Sequence, residues 1–380
     1  MADPQTGYEF LKQLQKEKAD KKPSFADFSD FLEMKARKKG VPMSGIFELT
    51  PLCNFSCRMC YVHLTGAQLN GQKVLSPEQW KDLMRQAWEA GMMQATLTGG
   101  ECLSYPGFDD IYLYLHSLGC EIILMTNGAL LDQKRLDFFM RHKPANMQIT
   151  LYGQNDDVYE RVTGQRAFRT VEENIRRIAD AGLNFVLNIT PNVYLGEDVF
   201  ETIRTAYRLC PTVTVNNSLF SPREETGRSA QKDDMDVDMY IRIFKLEKEL
   251  NGDPAKTNWK GVLPEPGGPN RQCSEKGLQC GAGRSCFTLD WKGELFPCGR
   301  LRMIQASPLK IGFRKAWESV HQQAESWIRE PACSGCPYES ICKPCAANVR
   351  RYSQPDGRPE EWCKRTIQFV RHGIWHKPEC

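Results

Sequence analysis

The sequence predicts an α/β protein: a parallel sheet, open or curled into a partial barrel, followed by a loop-rich module crowded with cysteine. Three observations lead there. Between about residues 45 and 215, short apolar runs alternate with amphipathic helical patterns, and strands joined by helices pair in parallel. The stretch 251–272 is rich in Gly and Pro (Gly261, Pro264, Pro266, Gly267, Gly268, Pro269) and punctuates the chain. Beyond it, periodicity fades while residues 273–380 hold ten of the 16 cysteines.

The elements follow in order. Residues 1–44 read as a helical extension packed on the main body. Ser24 is its N-cap, Phe25, Phe28, Phe31 and Leu32 follow at helical spacing, and the basic run from Lys35 to Lys39 ends before Gly40. Strands are expected at Ile46–Leu49, Ala95–Thr98, Ile122–Met125, Met147–Leu151, Phe185–Ile189 and Val213–Val215. A helix lies between the first two: Ser76 caps it, Pro77 opens it, Gln79 completes a capping box and Gly91 stops it. Further helices are expected over roughly 107–118, 131–141, 170–181, 198–208 and 235–250, with a polar loop over 216–233. The expected domains are thus 1–44, a barrel over 45–255 and a cysteine-rich module over 256–380, with functional residues at the C-terminal ends of the strands.

Composition narrows the function classes. With 50 Lys and Arg against 47 Asp and Glu, the net charge of +3 gives no broad attraction to nucleic acid or an anionic membrane. No apolar run approaches the roughly 18 residues of a membrane-spanning helix. The opening MADPQTGYEF lacks a basic segment followed by an apolar one, so a cytoplasmic location is expected. Cysteine, at about 4% of residues, exceeds what packing in such a chain requires. In a reducing compartment, clustered cysteines bind metal more often than they form disulfides.

Directly after the first strand stands Leu52-Cys53-Asn54-Phe55-Ser56-Cys57-Arg58-Met59-Cys60-Tyr61, a CxxxCxxC pattern. Three thiolates on one loop can hold three irons of a four-iron cluster and leave the fourth open to a small molecule. A zinc site completed by His63 is the alternative. The second strand ends in Thr98-Gly99-Gly100-Glu101, where paired glycines permit close backbone approach and Glu101 can accept hydrogen bonds from an ammonium group. Thr126-Asn127-Gly128 ends the third strand at the same mouth.

Over roughly residues 45–250 these motifs resemble the radical S-adenosylmethionine (SAM) superfamily. The resemblance implies a partial (β/α)6 barrel resembling a TIM barrel. It also implies a [4Fe-4S] cluster on Cys53, Cys57 and Cys60, with SAM chelating the unique iron. Gly99, Gly100 and Glu101 would contact the methionyl amine, Met59 would lie by the adenine, and Asn127 would face the same site. Ile149-Thr150-Leu151-Tyr152-Gly153 resembles the family's ribose-contacting segment through Thr150, and Arg161 resembles a further SAM-contacting arginine.

The C-terminal cysteines are spaced Cys280-x5-Cys286-x11-Cys298, then Cys333-x2-Cys336-x5-Cys342-x2-Cys345, then Cys363. Eight thiols suffice for two four-thiolate sites. The pattern resembles the SPASM domain, the twin-cluster extension of radical SAM enzymes that modify peptides and proteins. The resemblance implies that Cys280, Cys286, Cys298 and Cys345 hold one auxiliary [4Fe-4S] cluster. Cys333, Cys336, Cys342 and Cys363 would hold the other. Cys342 and Cys345 are two residues apart where the family usually has three, which bears on Cys345. A zinc ribbon is the alternative for the CxxC pairs. Cys102, Cys120 and Cys210 are expected to be buried or to line the pocket, Cys273 is an alternative ligand, and Cys380 is terminal.

The resemblance implies reductive cleavage of SAM to a 5′-deoxyadenosyl radical and hydrogen abstraction from a peptide. The enzyme is then a maturase of a ribosomally made peptide, installing a thioether, carbon–carbon or related crosslink, or an epimerisation. Sulfatase-maturing relatives carry an Asp where this chain has Gly299, so that activity is disfavoured. Arg300 and Arg302 are read as solvated surface, with substrate carboxylates as the alternative. The expected partners are the peptide, a flavodoxin- or ferredoxin-type one-electron reductant and a separate leader-recognition protein; the catalytic acid or base stays unassigned. A maturase of a protein or small cofactor, and a non-catalytic Fe–S or zinc scaffold or electron carrier, are the other readings.

Overall fold

The computed structural model describes residues 25–216, 219, 222–223, 226, 233–251, 277–278, 280–328, 336, 338, 342, 345–347 and 360–374. Helix α1 (Phe25–Lys39) precedes β1 (Ser44–Glu48). Its expected cap, Ser24, lies outside the described residues. Ala36 is buried while Phe28 stays exposed. The helix docks on the C-terminal part of the chain, where the Trp317 indole N–H donates to the Gly40 carbonyl at 2.7 Å.

Strand and helix then alternate: α2 (Pro77–Glu89), β2 (Gln94–Thr98), α3 (Phe108–Ser117), β3 (Glu121–Thr126), α4 (Gln133–Arg141) and β4 (Asn146–Thr150). After β4 come α5 (Asp156–Thr163), α6 (Phe168–Asp180), β5 (Phe185–Ile189), α7 (Asp198–Leu209), β6 (Val213–Val215) and α8 (Val237–Asn251). The local chemistry acts as expected at α2. The Ser76 hydroxyl accepts from Gln79 N–H at 3.3 Å, and the Gln79 side chain accepts from Ser76 N–H at 2.9 Å. The helix ends at Ala90, and Gly91 follows at φ +116°, a conformation only glycine adopts readily.

Strands β1 to β6 pair in parallel in sequence order, so the loops after β1, β2, β3 and β4 gather at one edge of the sheet. The sheet does not stop there. β7 (Cys286–Leu289) pairs in parallel with the free side of β1, Ser44 opposite Cys286, and β8 (Leu295–Phe296) returns antiparallel, giving eight strands. The Gly/Pro-rich stretch therefore separates two parts of the sequence that share one sheet. Helices α9 (Pro308–Ile311), α10 (Phe313–Glu325) and α11 (Glu360–Arg371) complete the described elements, and none of the described helices is long and apolar enough to cross a membrane.

The seam between the two parts is aromatic. Phe47 on β1 meets Trp80 of α2 edge-on at 6.1 Å and Phe287 of β7 at 5.8 Å, and Phe287 in turn meets Phe313 of α10 at 5.0 Å. Strand alternation turns the next residue, Glu48, to the opposite face. Phe47→Ala should cost about 3–5 kcal/mol, read as a lower midpoint in urea unfolding, because the cavity opens where helix and both strands meet. A second outlier sits on α8. Glu247 is buried with no partner for its Oε2 among the described residues, and burial pushes its carboxyl up to about 8 from 4.5. The stabilisation from the protonated form is thus full below about pH 4.5 and lost as pH rises through 8. Glu247→Gln should remove that dependence and gain about 2 kcal/mol over the wild type at pH 8.5, measured by unfolding at pH 5 and 8.5.

Candidate cluster and cofactor site

Three contacts fix the loop that carries Cys53, Cys57 and Cys60. Along its first residues it is zipped to the loop after β2: Gly100 N–H donates to Thr50 O at 2.6 Å and Glu101 N–H to Leu52 O at 3.0 Å. A Cβ on Gly100 would stand 2.2 Å from Leu52 O, and one on Gly99, at φ +142°, would stand 2.4 Å from Thr50 O. The close approach that the paired glycines permit is therefore to the chain's own backbone. Further on, Ser56 N–H and Arg58 N–H each donate at 2.9 Å to Thr163 O and Val162 O, the last turn of α5. Between these anchors Phe55 is buried edge-on against Tyr152 and Tyr159.

The thiols themselves meet N–H donors. Phe55 N–H donates to Cys53 Sγ and His63 N–H to Cys60 Sγ, each at 3.3 Å. Burial pushes the Cys53 thiol up to about 12, and the charges of Glu101 and Cys60 add to it. Burial, then Cys60 and Cys53, hold the Cys57 thiol well above its usual range, while a hydrogen bond from Tyr152 acts the other way. Three thiols whose thiolates would repel one another, two of them with backbone N–H groups turned to their sulfurs, suit a cationic metal group that takes thiolates. Among the described residues, no three Cys, His, Asp or Glu side chains gather around a single-ion position.

Glu101 is 1% exposed and turned into the protein. Its Oε1 accepts from Leu103 N–H at 3.0 Å and the Thr126 hydroxyl at 2.9 Å, and its Oε2 from Asn127 N–H at 2.8 Å. Burial raises its carboxyl despite those donors. With the Cys102 thiol at 3.7 Å, the carboxylate read as an ammonium acceptor is thus already occupied by four donors, and it positions Asn127. The Asn127 amide then donates to Asn54 Oδ1 at 2.7 Å and reaches Cys53 Sγ at 3.6 Å. A continuous polar chain links the β2 and β3 loops to the first cysteine.

The other expected SAM contacts are spread around this edge. Met59 is buried in the cysteine loop, and Thr150 ends β4 opposite Asn188 of β5. Arg161 is held away by α7: its Nε donates to Tyr194 O at 2.8 Å and its guanidinium pairs with Asp198. Arg161 and Asp198 line an open groove with Arg58 and Tyr194. Cys102 and Cys210 are buried and Cys120 half-buried, as small apolar side chains.

In the C-terminal part, Cys286 opens β7 beside the start of β1. Burial, then Cys280 and Cys298, push its thiol up to about 12. Burial raises Cys280 and lifts Cys298 to about 11, and Cys345 acts on both. Cys280, Cys286, Cys298 and Cys345 thus lie within electrostatic reach of one another. Of the other four, Cys333 lies outside the described residues, as do Cys273 and Cys380. Cys363 is exposed on α11, and Thr366, one turn further on, donates to Cys342 Sγ at 3.3 Å. Cys336 is half-buried.

Several residues of the site escaped the sequence patterns. Glu48, at the end of β1, pairs with Arg223, and both are buried. Arg223 also lies 5.4 Å from the Tyr61 ring centroid, next to Cys60. Arg302, read as solvated, is tied to buried Asp290 at 2.7 Å and lies over the Phe296 ring. Only an acidic residue inside an apolar strand run hinted at Glu48.

Residues 47–210 match the model of the radical SAM superfamily. Over 326 residues the chain is 24% identical to an AdoMet-dependent heme synthase of Methanosarcina barkeri, covering 80% of this chain and 90% of that one. It is also 24% identical over 324 residues to the PqqA peptide cyclase of Streptomyces rochei, covering 78% and 82%. The structure of Streptococcus suis SuiB bound to precursor peptide SuiA superposes with a TM-score of 0.64 at 15% identity, over 91% of this chain and 83% of that one. Gly100→Ala tests the docking of the two loops. It should leave the far-UV circular dichroism intact and lower iron retained after anaerobic reconstitution by about four per chain, because the loop must move off the sheet edge.

Proposed function

We propose that the chain is a radical SAM enzyme, a maturase of a ribosomally made peptide that installs a thioether, carbon–carbon or related crosslink, or an epimerisation. The observation that carries this is the cysteine loop zipped onto Gly99-Gly100-Glu101, with Asn127 tied to both. The peptide substrate is supported by the similarity to the PqqA peptide cyclase and by the SuiB complex with its precursor peptide.

Cys53, Cys57 and Cys60 would hold the SAM-binding [4Fe-4S] cluster. Bound there and reduced, the cluster with SAM supplies a 5′-deoxyadenosyl radical able to take hydrogen from an unactivated carbon. The chain's own part is to bind, orient and exclude water. Glu101 and Thr126 fix Asn127 against the loop. Met59 and Thr150 would flank the nucleoside, with Gly99 and Gly100 beside the methionyl end. Arg161, engaged with Asp198, would reach the cofactor only by exchanging that partner. Cys280, Cys286, Cys298 and Cys345 would hold one auxiliary cluster, and Cys333, Cys336, Cys342 and Cys363 the second. A flavodoxin- or ferredoxin-type donor supplies the electron.

A second reading, a radical SAM enzyme acting on a small cofactor, is favoured by the match over 90% of the heme synthase. Metal content and substrate stimulation separate these readings. Anaerobically reconstituted protein should carry about twelve irons and little zinc. Cys57→Ala should lose about four irons and all 5′-deoxyadenosine release, whereas Cys298→Ala should lose about four irons yet still cleave SAM. About four irons with one or two zincs would remove the auxiliary clusters, and release stimulated by an iron porphyrin but not by peptides would favour the second reading.

A further inference from the structure

Glu48, at the end of β1, and Arg223 form an ion pair whose side chains are 2% and 5% exposed. The pair makes one contact, between Arg223 Nη2 and Glu48 Oε1. Among the described residues, Arg223 Nε and Nη1 and Glu48 Oε2 are buried with no hydrogen-bond partner. Two guanidinium nitrogens and one carboxylate oxygen of the pair are thus left unmatched. Buried groups of this kind are normally paired.

Position adds to this. Arg223 N–H donates to Tyr61 O at 3.2 Å, so the pair touches the loop of Cys60. On the other side lies Gly299, next to Cys298. A Cβ there would stand 3.4 Å from Glu48 Oε1 and 3.9 Å from Arg223 Nη2. Gly299 is not in the left-handed region, so its backbone does not require glycine. What its missing side chain leaves is room beside the bonded Oε1 and Nη2 atoms of the pair.

The chemistry of a ligand follows from the unmatched atoms. A simple anion would satisfy Arg223 and be repelled by Glu48, and a simple cation the reverse. An amide offers a carbonyl acceptor beside an N–H donor and carries no charge. We propose that Glu48 and Arg223 anchor the main chain of the peptide substrate, Arg223 donating to a carbonyl oxygen and Glu48 Oε2 accepting from an amide N–H. The proposal rests on the peptide-maturase reading above and deepens it. It makes the pair a positioning device for substrate between the two cysteine groups, independent of the substrate's side chains.

The test uses the reconstituted full-length enzyme with SAM, dithionite and a pool of randomised decapeptides containing Cys and Ser. Peptide-stimulated 5′-deoxyadenosine release is followed against pool concentration, with iron content and the SAM dissociation constant measured alongside. Glu48→Gln, Arg223→Lys and Gly299→Val should each raise the half-saturating pool concentration at least tenfold, with SAM affinity within twofold of the wild type. Gly299→Val leaves the ion pair in place, so its result stands even where the charged variants unfold. A pool N-methylated along its main chain should bind the wild type more weakly but the Glu48→Gln variant no differently. Unchanged half-saturation in all three variants, with only a lower melting midpoint, would make the pair structural and overturn the anchor. A wild type that cleaves SAM but does not respond to the pool would overturn the peptide reading itself, and the anchor with it.

Discussion

Everything at the site depends on two loops lying closer together than side chains allow. The loop after β2 runs along the loop after β1 at backbone hydrogen-bond distance, and only a residue without Cβ fits at Gly99 and Gly100. That contact sets where Cys53 stands relative to Asn127, and through Asn127 relative to Glu101. The chain therefore holds three thiols in place by main-chain packing, backed on the far side by the last turn of α5. Rigid backing of this kind is what a site needs when its ligands sit on a loop.

β1 organises the rest. One of its faces carries Phe47 into the aromatic seam, and the other carries Glu48 to Arg223. Beyond its C-terminal end lies the CxxxCxxC loop; beside its start lies Cys286 with the thiols around it. A strand of five residues spans about 15 Å, so it spaces the two cysteine groups while belonging to both halves of the molecule. Of the buried polar groups, Glu48 ends β1, and Glu101, Thr126, Asn127 and Asp290 lie at or just beyond the ends of other strands. Polar atoms inside a sheet protein mark where something other than packing was selected.

Local chemistry was the most legible part of the sequence. The Ser76–Gln79 box, the Pro77 start and the strand positions appear within a few residues of where the pattern puts them, because each is decided by neighbours in sequence. The CxxxCxxC and GGE segments were legible for the same reason. What was not legible depends on distant partners. Cys286–Leu289 is too short to announce a strand, and its pairing with β1 follows from the fold. Arg223 sits in a polar stretch without period, and nothing near it points to Glu48. Residues 156–163, noted only for Arg161, form a full helix capped by Asn155 and closed by Gly164. The role of Glu101 was visible as a residue type, but its orientation into the protein was not, because Thr126 and Asn127 come from another strand.

The pairing of β1 with β7 also sets an order of assembly. One side of β1 finds its partner about 50 residues later, in β2; the other waits for Cys286, roughly 240 residues downstream. At roughly 5–20 residues per second on the ribosome, that edge stays open for on the order of ten to fifty seconds. For that interval the nascent barrel presents an unpaired strand edge and free thiols together, a combination open to mispairing with another chain.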